Sequence, residues 1–155
     1  MLISGGGMVN NKDRLFEMMN KVGGMKVLLK EEKLPPQQRS AIISDFIDFV
    51  LENLGITEFD KEKVNIITDN NYTQQNKSFA SYNPNTFEIV VVDSNRNLAD
   101  TLRSLAHEFV HHKQNLNNEL HEKSGQTGSE HENQANALAG ALMREYGKKN
   151  PKIFE

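Results

Sequence analysis

The sequence predicts an α+β domain: N-terminal helices, a small and mostly antiparallel sheet, then two long helices. Three observations predict it. Apolar residues recur at helical spacing before Gly55 and after Asn97, whereas β-branched runs fall between them. Pro35-Pro36, Gly55, Asn83-Pro84-Asn85 and Gly147 punctuate the chain where such elements should begin or end. A length of 155 residues, 37% hydrophobic and 25% charged, suits one domain with a buried core.

Residues 1–11, with Gly5-Gly6-Gly7, read as a flexible extension, and residues 12–155 as one domain. Met1 and Met8 are both candidate starts. Asp13 to Val22 reads as a short helix stopped by Gly23-Gly24. Pro35-Pro36 opens a stronger one, Gln37 to Leu54, with Ile42, Ile43, Phe46, Ile47, Val50 and Leu54 at helical spacing and Gly55 just past the end. Val64 to Thr68 is a β-rich run, and Asp69 to Lys77 a polar loop. Ser78 to Tyr82 and Thr86 to Val92 flank the Asn83-Pro84-Asn85 turn as two strands. Ile89-Val90-Val91-Val92 suggests a strand buried on both faces. A helix follows from Leu98 to about Leu116, then a loop to Gly128, then a last helix from about Ser129 to Tyr146 closed by Gly147.

Composition excludes several chemistries. There is no cysteine, hence no disulfide, thiolate ligand, iron–sulfur cluster or cysteine nucleophile. A formal charge of −3 argues against a non-specific grip on nucleic acid. No apolar run is long enough to span a bilayer, and Met1–Gly7 lacks a secretory pattern. The expectation is a cytoplasmic protein with no membrane or nucleic-acid partner; the oligomeric state stays open.

His107-Glu108-Phe109-Val110-His111 spells H-E-x-x-H. A helix turns about 100° per residue, so residues four apart project from one face, one turn apart. Two imidazoles so placed can grip one metal ion, and Glu108 beside them is placed to act on a water at that ion. Leu98, Leu102, Leu105, Phe109 and Leu116 form the expected anchoring stripe opposite the histidines. His112 points about 100° from His111 and is expected at the rim.

A third ligand must come from elsewhere, because a hydrolytic zinc site uses three protein ligands and one open position. His112, Glu119, His121, Glu122, Glu130, His131 and Glu132 are the downstream candidates. On the last helix Ala135, Ala139, Leu142, Met143 and Tyr146 share a stripe that includes Glu132, with His131 and Asn136 at its edges. A carboxylate on an apolar stripe needs a partner, and a cation would serve. Ser129-x-x-Glu132 is also a capping box, a competing role for the same side chain. Asn136, four residues on, shares the face and could orient a ligating imidazole. Tyr82 and Tyr146 are candidate oxyanion donors.

His107-Glu108-x-x-His111 with downstream Glu132 resembles the zincin metallopeptidases, more narrowly the gluzincin type, in which a helical Glu is the third ligand. Glu132 and Asn136 match the spacing of that Glu and a carboxylate four residues later, with Asn replacing the acid. Glu132 to Ala139 (ENQANALA) is also similar to an element of small metallopeptidases on mobile elements, some of which cleave repressors, and Arg14 to Val22 is loosely similar to tailed-phage segments. The resemblance spans roughly Phe87 to Tyr146. It implies one Zn²⁺ held by His107, His111 and Glu132, with Glu108 as general base in hydrolysis of a peptide or protein substrate, in a host cytoplasm or a virion. The alternative is a non-catalytic zinc module with a structural, interaction or regulatory role. The chain is much shorter than thermolysin, and no histidine follows Glu132 to stabilise an oxyanion.

Overall fold

The computed structural model describes residues 34–68, 78–121 and 128–154. The expected extension over 1–11 and the helix over 13–22 lie outside them. The chain divides into two compact units, Met1–Arg39 and Ser40–Glu155. In the first, residues 34–39 carry the opening of helix α1 (Pro36–Leu54), where the fixed φ of Pro36 suits the first turn.

In the second unit α1 buries Ile43, Phe46, Ile47 and Val50, the stripe the spacing predicts. Its end is a Schellman motif. Gly55 takes φ +71° and donates to the Glu52 carbonyl, and the Ile56 N–H reaches back to Leu51.

The sheet has three strands, β1 (Val64–Ile67), β2 (Ala80–Asn83) and β3 (Glu88–Val92), in the order β1-β3-β2. The β2–β3 hairpin is antiparallel, as expected, but β1 pairs with β3 in parallel, so the sheet is mixed. Ile89, Val91 and Val92 of β3 are buried, which fits a strand flanked on both sides. In the connecting turn the Asn83 side chain accepts the N–H groups of Asn85 and Thr86. Phe87 closes the turn at φ +66°, a left-handed conformation rare for a bulky residue.

Helix α2 (Leu98–Leu116) is the central element. Asn97 caps it by accepting the Asp100 N–H, and Lys113 lies in its last turn, where the helix dipole favours a cation. It packs against α3 and both strands of the hairpin. Leu98, Leu102, Leu105 and Phe109 are buried as expected, but Leu116 is 46% exposed. The stripe stops short because the helix runs past the core at its last turn. Burial extends around α2 to Thr101, Ala106, Val110, His112 and Gln114, so it is wrapped on several sides rather than amphipathic in the simple sense.

Helix α3 (Glu130–Lys149) buries Ala135, Ala139, Leu142, Met143 and Tyr146, the predicted stripe. Phe46 and Tyr146 meet edge to face at 5.0 Å, and the Tyr146 hydroxyl donates to Asp45 at 2.7 Å, fastening α3 to α1. Gly147 does not end the helix. It lies inside it and is buried because Phe154, from the turn Pro151–Phe154, lies against it: a Cβ there would come within 2.9 Å of the ring's Cζ. This glycine marks a close approach, which its position near a helix end disguises in the sequence.

Candidate metal centre

The centre forms where α3 crosses α2. Helical spacing sets the His107 and His111 rings 4.8 Å apart, nearly perpendicular, with their Nε2 atoms 3.2 Å from each other. Glu132, in the first turn of α3, reaches both: Oε2 is 2.8 Å from His107 Nε2 and Oε1 is 3.1 Å from His111 Nε2. Ala135 and Ala139, on the same stripe of α3, are small and buried.

The competing role of Glu132 as a capping side chain is resolved by a division of labour. Ser129 is the N-cap, and its Oγ accepts the backbone N–H of residue 132 at 3.0 Å. That contact needs only the Glu132 backbone, so the carboxylate is left for the histidines. Asn136, one turn on, hydrogen-bonds His107 as the shared face predicts.

Two imidazoles and one carboxylate form a compact donor triad, the only such group of three among the described residues. Zinc bond lengths of about 2.0–2.1 Å in a tetrahedron put neighbouring donors roughly 3.3–3.5 Å apart. The two Nε2 atoms, 3.2 Å apart, lie just inside that spacing, and the carboxylate faces them with one oxygen each, Oε2 at 2.8 Å from His107 and Oε1 at 3.1 Å from His111, so a small side-chain adjustment brings one oxygen to both. The donor set therefore fits Zn²⁺ in both size and chemistry.

Glu108 is 7% exposed. Burial, reinforced by the negative charge of Glu132, pushes its carboxyl up to about 8. Burial also lowers the His107 pKa, an effect that outweighs the raising influence of Glu132; the neighbouring His111 adds to the lowering.

Some residues do not sit where the sequence suggested. His112 is not at the rim: it is 1% exposed and lies edge-on to Phe59, Tyr82 and Phe87. The hairpin folds over that side of α2, which the helix wheel alone does not reveal. The signal was present, since His112 lies three residues beyond Phe109 and so beside the apolar stripe. Tyr82 is committed to this cluster. Asn115 Nδ2 donates both to the Pro84 carbonyl and to the Tyr82 hydroxyl, whose own proton is left for His112 Nδ1 at 2.6 Å. Burial raises the Tyr82 pKa and lowers that of His112. Tyr146 is likewise engaged, with Asp45.

Of the other candidate ligands, His131 is not in the triad; its ring lies edge-on to His121 at 5.3 Å. Glu130 is exposed, Glu119 accepts from Asn117, and Glu122 lies outside the described residues. Sequence reasoning overlooked Gln114. It is 1% exposed and touches His111, His131 and Gln134. It falls seven residues after His107 and three after His111, hence on the face of the histidines.

Residues 59–148, more than half of the chain, match the IrrE N-terminal-like domain, a zincin-like metallopeptidase family. The chain belongs to that family. No curated protein and no solved structure matches it. The match takes in the sheet and both helices of the centre, and so extends further toward the N-terminus than the motif resemblance does.

Proposed function

We propose that this family member is a zinc-dependent peptidase. Its one Zn²⁺ is held by His107, His111 and Glu132, and its substrate is a peptide or protein. The observation that carries the reading is the convergence of those three side chains from two helices, with a buried carboxyl, Glu108, next to the first of them. Zinc in such a site supplies Lewis-acid polarisation of a carbonyl and lowers the pKa of water.

The remaining work falls to the protein. Glu108 is the general base: it takes a proton from the attacking water and passes it to the leaving amine. Its burial supports that role, because a carboxylate held out of bulk water accepts a proton more readily than an exposed one. Asn136 holds the His107 ring in orientation. The strand that ends at Val92, β3, is the middle strand with both its edges paired, so it offers no free edge to an extended peptide. Among the described residues, the backbone edges left for an added strand are those of β1 and β2.

The test is Glu108→Gln. The variant should bind zinc like the wild type and lose about 10²–10⁴-fold in peptide hydrolysis. Turnover retained in it removes Glu108 from the reaction. Stoichiometric zinc in a wild type that cleaves no member of a peptide library would instead support a non-catalytic zinc module.

A further inference from the structure

We propose that Gln114 is a positioning residue for the centre: its buried amide holds His111 with the proton on Nδ1 and turns the bare Nε2 toward His107 and Glu132. This rests on the reading of the triad as a metal site. The His131 carbonyl oxygen can only accept, and it lies 3.1 Å from Gln114 Nε2, so that atom is the amide nitrogen. The second amide proton goes to Gln134 Oε1 at 2.6 Å. The His131 carbonyl sets the orientation: a flipped amide would put Oε1 against that oxygen, acceptor against acceptor, in a site that is 1% exposed.

Gln114 Oε1 is then the atom 2.8 Å from His111 Nδ1. An amide oxygen carries no proton, so Nδ1 must donate. A neutral imidazole has one N–H, which leaves Nε2 with a free lone pair. That lone pair lies 3.1 Å from Glu132 Oε1, also an acceptor. Two acceptors that close repel unless a metal ion or a second ring proton lies between them. The same amide ties the first turn of α3, which carries Glu132, to the helix of the histidines. Gln114 thus sets both the proton position of one ligand and the approach of another.

The experiment compares wild type, Gln114→Leu and Gln114→Glu. Imidazole ¹⁵N–¹H correlation spectra of EDTA-treated protein at pH 8.5 read the tautomer; zinc titration reads the affinity. The wild type should show His111 as the Nδ1–H form. Gln114→Leu should bring in the Nε2–H form and weaken zinc binding about 10–100-fold. Gln114→Glu restores an acceptor at Nδ1 and should recover the Nδ1–H form and most of the affinity, which a purely structural role would not predict. A wild-type His111 in the Nε2–H form overturns the proposal outright, even if Gln114→Leu does not fold. So does a folded Gln114→Leu with unchanged tautomer and affinity, or a folded Gln114→Glu that shows no recovery. A wild type that binds no zinc yet shows the Nδ1–H form overturns the metal reading and leaves the lock on His111 standing.

Discussion

Replacing Glu132 by alanine separates a metal ligand from a structural side chain, because the fold uses only the residue's backbone. The helix cap survives: Ser129 accepts the N–H of residue 132 whatever its side chain. The lost carboxylate contacts at 2.8 and 3.1 Å are to two histidines, on a side chain 23% exposed. Without metal, Glu132→Ala should therefore unfold within about 1–3 kcal/mol of wild type. With zinc the two should part. Partners one step removed from a metal are worth about 10–100-fold in affinity. A donor that itself faces both imidazoles should be worth at least about 100-fold. At free zinc 100 times the wild-type Kd, binding stabilises the wild type by about 2.7 kcal/mol. The variant, at a ratio of about one or below, gains about 0.4 kcal/mol or less. At roughly 2–4 °C per kcal/mol for a chain of this size, zinc should raise the wild-type Tm by about 5–11 °C and the variant's by no more than about 2 °C. Thermal unfolding with buffered zinc and with EDTA measures both. Equal zinc-dependent shifts in the two proteins would refute the three-ligand centre and turn the search to His131 or Glu130.

Metal-free protein should lose stability as pH rises from about 6.5 through 8. The Glu108 carboxyl sits at about 8 when folded against 4.5 as its ordinary value, so its contribution is complete below 4.5 and is lost as pH passes 8, by a few kcal/mol. His107 and His112, lowered by burial, act oppositely and only below about 6.5. Urea unfolding in EDTA across that range should show the slope in wild type and not in Glu108→Gln; an equal slope in both assigns it elsewhere. Tyr82→Phe strips the buried His112 Nδ1 of its partner and should cost about 1–3 kcal/mol while turnover stays within about twofold. A tenfold loss of turnover in that folded variant would make Tyr82 an oxyanion donor. Phe109→Ala, in the buried face of α2, should cost about 3–5 kcal/mol by chemical denaturation; a loss under about 1 kcal/mol would mean α2 is not the central element.

The sequence by itself determined what is local. Periodicity and the signals at helix ends placed all three described helices within a few residues, because amphipathic spacing, Pro36 and the Ser129 capping box act over one turn. The same geometry put His107 and His111 on one face, and one turn of α3 set Glu132 on the stripe facing the core and Asn136 beside it. Only the tertiary structure decided what meets across elements. That β1 joins β3 in parallel, making β3 the middle strand, depends on which edge is covered in space, not on strand spelling. That His112 is buried follows from the hairpin folding over α2, and that Gly147 is a contact follows from the final turn coming back onto α3. The convergence of Glu132 on both rings, and the fixing of His111 by Gln114, need two helices to cross at one distance. Periodicity states which face a side chain occupies, but close packing alone determines what stands opposite it.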